Sequence, residues 1–169
     1  MTIQWIASAI LNSSDDKETT MPKMAKDDTM PWISPAITVK DVEAGLKFYA
    51  DAFSFEPAGS MQDDDGNTNY AHMLYKGQMV LMMMPEMSWG KNCRTPASTG
   101  VEAPIGLYVY CDDVDVLYQQ AKQSGAKVVE EPVDMFWGDR LARLQDPDGY
   151  VWTFATKVAE YQQVESAGA

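Results

Sequence analysis

Val39-Lys40-Asp41-Val42 recurs as Cys111-Asp112-Asp113-Val114, and Lys76-Gly77-Gln78-Met79-Val80 recurs as Asp148-Gly149-Tyr150-Val151-Trp152. Each motif returns after 72 positions, from 39 to 111 and from 76 to 148, so one unit is built twice along the chain. In the first copy the apolar run from Trp32 to Val39 reads as a strand, with Pro35 favouring a sheet edge. Asp41 is suited to cap a helix carrying Val42, Leu46, Phe48, Tyr49 and Phe53 at three-to-four spacing. Strands follow near Phe55 to Ala58, Tyr70 to Tyr75 and Gln78 to Met84, the last two joined by a tight turn at Lys76-Gly77. The second copy repeats the pattern: a strand from Ile105 to Cys111, then a helix capped by Asp113 and running through Val114, Leu117 and Ala121 to Gly125. Strands near Lys127 to Glu130, Leu141 to Leu144 and Tyr150 to Thr156 complete it. Asp146-Pro147-Asp148-Gly149 joins the last two, because Pro presets φ and Gly accepts a positive one.

Composition limits the partners. The 169 residues carry 13 basic and 25 acidic side chains, a net charge of −12, and such a field repels phosphate backbones and anionic lipid. Nucleic acid and membrane are therefore not expected partners. Hydrophobic residues make up 46% of the chain, enough for one real core. Cys93 and Cys111 form no disulfide framework, which favours a reducing, cytoplasmic setting. The apolar opening from Ile3 to Leu11 lacks a basic leader and is too short to span a bilayer, so neither signal peptide nor anchor is expected.

Three regions result. Residues 1–31 read as an N-terminal extension, either flexible ahead of a later start at Met21, Met24 or Met30, or docking on a partner subunit through Trp5, Ile6, Ile10 and Leu11. Residues 32–157 form the domain, with modules 32–84 and 104–157 and a Pro-, Ser-, Gly- and Thr-rich linker over 85–103 that is able to cover a pocket. Residues 158–169 are a tail.

The order βαβββ twice, with Ile37-Thr38-Val39-Lys40-Asp41-Val42 leading into Leu46-Lys47-Phe48-Tyr49 and with Asp146-Pro147-Asp148-Gly149-Tyr150-Val151-Trp152 near the end, resembles the vicinal oxygen chelate superfamily. That superfamily includes glyoxalase I, extradiol dioxygenases and bleomycin-resistance proteins. Phe136-Trp137-Gly138-Asp139-Arg140 is most similar to the glyoxalase-like or bleomycin-resistance-like branch. The resemblance implies an α+β fold in which two βαβββ modules form an open, barrel-like curved sheet around a central cavity, in a homodimer.

It also implies a metal held by one residue from the first and one from the last strand of each module. Aligned on the repeat, those positions are Ser34, Leu81, Gly106 and Thr153. None offers the imidazole, thiolate or carboxylate that a first-row divalent metal needs. No metal or other cofactor is expected.

Strand alternation from these four positions selects the residues expected to face the cavity: Ala36, Thr38, Met79, Met83, Tyr108, Tyr110, Val151 and Ala155. A two-residue turn at Lys76-Gly77 sets His72 opposite Leu81 and Tyr70 opposite Met83. The candidate ligand site is thus Tyr70, His72, Met79, Leu81, Met83, Tyr108, Tyr110, Trp137 and Arg140. Trp137 offers a stacking face and Arg140 a fork of donors. The competing reading makes the methionines and tyrosines core, His72 structural, and Arg140 a partner of Asp139, Glu130 or Glu131. The expected function is metal-independent binding of a hydrophobic or planar organic molecule. The alternative is a metal-dependent lyase, isomerase or dioxygenase with a non-standard site at His72 and Glu86 or Glu131.

Overall fold

The computed structural model describes residues 30–161. Nearly all of the N-terminal extension and the end of the tail lie outside them. The elements are β1 (Ala36–Val39), α1 (Val42–Phe53), β2 (Glu56–Gln62), β3 (Thr68–Tyr75), β4 (Gln78–Pro85), α2 (Pro96–Thr99), β5 (Leu107–Tyr110), α3 (Val114–Gln123), β6 (Lys127–Asp134), β7 (Asp139–Gln145) and β8 (Val151–Lys157). The fold is α+β, with βαβββ built twice. Two four-stranded sheets result, ordered β1-β4-β3-β2 and β5-β8-β7-β6. β1 runs parallel to β4 and β5 parallel to β8, while the other pairs are antiparallel.

Local chemistry starts each module. The Asp41 and Asp113 carboxylates accept the backbone N–H groups of Ala44 and Val116, satisfying donors that a helix start otherwise strands. Lys76 and Gly77 both hold positive φ, 52° and 76°, the primed turn whose twist suits a hairpin. The first strand is shorter than expected, beginning at Ala36 rather than Trp32. The second strand of each module is longer, reaching Gln62 and Asp134. α3 ends at Gln123, ahead of Gly125, and the linker holds the single-turn α2 capped by Thr95.

The modules share one core. Phe53 and Phe55 of the first pack on Trp152 and Phe154 of the second, with Phe53 and Phe154 ring centroids 4.6 Å apart. α1 lies against α3, where the Gln120 amide donates to the Asp51 carbonyl and the Ser54 hydroxyl. The helix-bearing faces of both sheets therefore converge, and the opposite faces turn outward. Between the helix-bearing faces of the two modules the space is filled by packed side chains.

A second fastening lies at the Asp146–Gly149 turn. Asp146 Oδ2 accepts from the Tyr49 hydroxyl (2.7 Å) and the Trp152 indole (2.9 Å), and Oδ1 accepts the N–H groups of Asp148 and Tyr150. The Lys40 N–H donates to Asp148, and the Tyr150 hydroxyl donates to the Thr38 carbonyl. At the equivalent turn of the first module, Lys76 forms an ion pair with Asp112.

One irregularity changes the faces of β4. Tyr75 opposes Gln78 and Leu74 opposes Met79, but Met73 opposes Leu81 and His72 opposes Met82. The bulge puts one extra residue into β4, so that Leu81 rather than Val80 opposes the buried Met73. Leu81 and Met83 are fully buried and Met79 nearly so. All three leave the predicted ligand-facing set. His72 pairs with Met82 rather than Leu81.

Candidate functional site

On the outward face of the second sheet, Tyr108 and Tyr110 of β5 stand beside Asp139, the first residue of β7. The Asp139 Oδ2 accepts the Tyr108 hydroxyl at 2.7 Å, the Tyr110 hydroxyl at 3.0 Å and the Trp137 indole N–H at 3.0 Å. Asp139 is only 4% exposed, whereas Tyr108 and Tyr110 are 46% and 58% exposed. A buried carboxylate thus lies under a solvent-facing aromatic cover. Hydrogen bonding, with Tyr108 contributing most, holds the Asp139 carboxyl below its ordinary pKa. Burial, reinforced by the bond to Asp139, pushes the Tyr108 hydroxyl up to about 12. Asp139 is therefore an ionised acceptor and the tyrosines are neutral donors.

The loop before β7 fixes this geometry. Gly138 has φ 95°, and its carbonyl accepts the N–H groups of Val158 and Ala159. A Cβ there would lie 2.2 Å from the Ala159 carbonyl oxygen. Trp137 and Asp139 are consequently aimed by a backbone that only glycine supports. Phe136, 81% exposed, meets Trp137 edge-on at 4.9 Å.

Arg140 takes no part in this cluster. Being next to Asp139 on the strand, it faces the helix side, where it forms a two-pronged pair with Asp115 of α3 and a further bond to Asp134. The expected partners Asp139, Glu130 and Glu131 are replaced by these two. Glu130 pairs with Arg143 instead.

The outward face of the first sheet carries a second aromatic group. The Tyr70 and His72 rings lie 5.9 Å apart, and Trp89 approaches Tyr70 edge-on at 6.5 Å. The His72 ring rests over Gly59, where a Cβ would fall 2.5 Å from the imidazole. His72 Nδ1 is buried without a hydrogen-bond partner. Trp89 adopts φ 56°, an uncommon conformation for a bulky residue, and its indole donates to the Asn69 carbonyl.

Sequence reasoning missed Asp139 as the centre of its cluster, together with Trp89. An acidic residue beside Trp and Gly was the available signal for the first. The second had none, because it depends on the path of the linker.

The family's metal positions can now be set by the ladders. Ala36 opposes Met82 and Tyr108 opposes Thr153. Since Ala36 and Tyr108 are 72 apart, the counterpart of Thr153 is Met82, not Leu81. Ser34, Met82, Gly106 and Thr153 lack an imidazole or carboxylate, so these residues do not fit the family's metal. Among the described residues, no three His, Cys, Asp or Glu side chains gather in a group that could hold one. Glu86 is bound by the Thr95 N–H and hydroxyl, and Glu131 accepts the Tyr118 hydroxyl.

Residues 30–154 match the family model of the Glyoxalase/Bleomycin resistance protein/Dioxygenase superfamily, and the chain belongs to that superfamily. An uncharacterized protein of Mycobacterium bovis is 33% identical over 141 residues, covering 82% of this chain and 91% of its own. An uncharacterized protein of Mycobacterium tuberculosis strain H37Rv has the same identity, covering 82% of each chain. The crystal structure of TioX from Micromonospora sp. ML1 aligns with a TM-score of 0.61 at 20% identity, covering 75% of this chain and 98% of that one. A glyoxalase/bleomycin resistance protein/dioxygenase family enzyme from Burkholderia phytofirmans PsJN aligns at 0.59 with 17% identity, covering 74% and 97%. These structures share the fold. Among the described residues no helix is long and apolar enough to cross a membrane.

Proposed function

We propose that this protein binds a small organic molecule without a metal, acting by sequestration or carriage. The observation that carries the reading is the convergence of Tyr108, Tyr110 and Trp137 on Asp139 beneath an exposed face. Aromatic faces stack on planar ligands and their polar tips orient them.

A second copy of the chain completes the site. Within one chain the two aromatic faces lie on separate sheets with the shared core between them. A two-fold dimer sets the first-module face of one protomer against the second-module face of the other, making two equivalent pockets. Free Cys93 and Cys111 accord with a reducing compartment such as the cytoplasm.

Native mass spectrometry of protein purified without chelator tests the reading. The expected species is twice the 18.8 kDa chain, carrying a co-purified organic mass. A monomer in light scattering at micromolar concentration removes the composite pocket. Stoichiometric zinc, nickel, manganese or iron in elemental analysis overturns metal independence in favour of a lyase, isomerase or dioxygenase.

A further inference from the structure

The charge at Asp139 is the feature that the proposed pocket leaves unexplained. Every hydrogen bond to its side chain among the described residues arrives on Oδ2, and every donor is neutral. Among the nearby cations Lys157 contributes a minor attraction to the carboxylate, and none donates a hydrogen bond to it. Arg140 points to the helix side and holds Asp115 and Asp134, Arg143 holds Glu130, and Lys157, its ladder neighbour, reaches out to Glu160. A carboxylate with 4% exposure therefore carries its charge without an ion-pair partner within hydrogen-bond distance, inside an outward-facing aromatic frame.

Such a frame is suited to one kind of group. The Tyr108 and Tyr110 rings stand 5.4 Å apart, and Phe136 and Trp137 extend the aromatic surface at 4.9 Å. Aromatic faces attract cations through their quadrupole, and the attraction grows as water is excluded. A carboxylate below them adds a Coulombic term that weakens little with salt when the pair is covered. The chain's net charge of −12 raises the local concentration of cations and lowers that of anions.

We propose that the Asp139 cluster recognises a cationic amine on an aromatic or hydrophobic organic ligand, the carboxylate pairing with the ammonium while Tyr108, Tyr110 and Trp137 surround it. This rests on the reading of the outward face as a ligand site, and it names the charge of the ligand that reading leaves open. It accounts for a buried carboxylate held among exposed aromatic side chains. A site for anionic metabolites would need a cation where the carboxylate stands.

Three probes of one shape decide it: 2-phenylethylammonium, 2-phenylethanol and 3-phenylpropionate, titrated calorimetrically into the full-length protein. The ammonium is expected to bind at least tenfold more tightly than the alcohol, and the carboxylate most weakly. Asp139→Asn keeps an oxygen acceptor for the three donors and removes the charge. It should abolish the ammonium preference while leaving affinity for the alcohol within about twofold. Asp51→Asn removes the same unit of charge from the exposed Lys47 pair on α1 and should retain the preference, which controls for the change in net charge. Equal binding of ammonium and alcohol by the wild-type protein, or a preference that survives in D139N, overturns the cation assignment and leaves the ligand face standing. If none of the three probes binds, the face is not a ligand site and both proposals fall.

Discussion

Asp139 and Asp146 lie seven residues apart in one hairpin, and each is 4% exposed. Each accepts a tyrosine hydroxyl at 2.7 Å and a tryptophan indole within 3.0 Å. Their pKa values nevertheless move in opposite directions. Burial in the aromatic core outweighs the hydrogen bonds at Asp146 and raises it, whereas hydrogen bonds, led by Tyr108, outweigh burial at Asp139 and lower it. The difference is what lies above each carboxylate. Asp146 is held by Tyr49 of the first module and Trp152 of the second, both buried in the shared core. Asp139 is covered by tyrosines that are themselves half in solvent. The same three residue types thus fasten the fold at one position and form an exposed aromatic surface at the other.

Removing each carboxylate should separate these roles most strongly. Asp146→Ala leaves two buried side-chain donors and two backbone N–H groups without their acceptor, at roughly 1 to 3 kcal/mol for each group left unsatisfied. An overall loss of about 4 kcal/mol is expected in denaturant unfolding. Asp139→Ala should lose less than about half of that, because its tyrosine donors can turn into water. Equal losses would make Asp139 a second structural fastening.

Gly138→Ala attacks the aim of the outward cluster without touching its chemistry. The 2.2 Å approach to the Ala159 carbonyl and the positive φ predict a cost of about 2 kcal/mol. The Trp137 indole N–H resonance should shift as its bond to Asp139 lengthens. An unchanged resonance would show that the loop does not set the cluster.

Acid titration gives a smaller and more diagnostic contrast. Asp139 has a lowered folded pKa, so its stabilisation is present above the ordinary aspartate value near 3.9 and is lost as pH falls through the folded value. Asp146 has a raised one, so its contribution is full below the ordinary value and is lost as pH rises through the folded value. Lowering the pH from 6 should therefore shrink the stability advantage of wild type over D139N and enlarge it over D146N. Parallel trends in thermal midpoints would contradict the assigned directions.

The least effect belongs to the first module's turn. Lys76 and Asp112 are both exposed, so solvent screening leaves their pair a small contribution that weakens further with salt. Lys76→Ala should cost no more than this at low ionic strength and nothing measurable at 1 M salt. A larger loss would make the two turns equivalent fastenings.

Much of this was legible beforehand. The repeat of Val39-Lys40-Asp41-Val42 predicted two βαβββ units, because Asp caps and apolar spacing act within a few residues of the chain. Tyr108 and Tyr110 share one face of β5, as alternation from Gly106 requires, but that face, expected to line a cavity, is turned to solvent. Alternation holds in β4, but the face shared by Met79, Leu81 and Met83 is the buried one, because the 72-residue alignment runs one residue out of step with the strand pairing there and pairing leaves no local mark on sequence. Arg140 was misplaced for a related reason. Adjacent strand residues point to opposite faces, and the neighbour of Trp137 that shares its cluster is Asp139.

The 72-residue repeat, the capped helices and the primed turn at Lys76-Gly77 follow from short-range chemistry, so the chain alone sets the fold and its family. Which aromatic residues become core and which become surface depends on how the two modules pack. The helix-bearing faces bury against each other through Phe53, Phe55, Trp152 and Phe154, and that burial turns the Asp139 and His72 faces outward. Apolar area is removed from water only once both modules are in place, and no local pattern records which face will lose it.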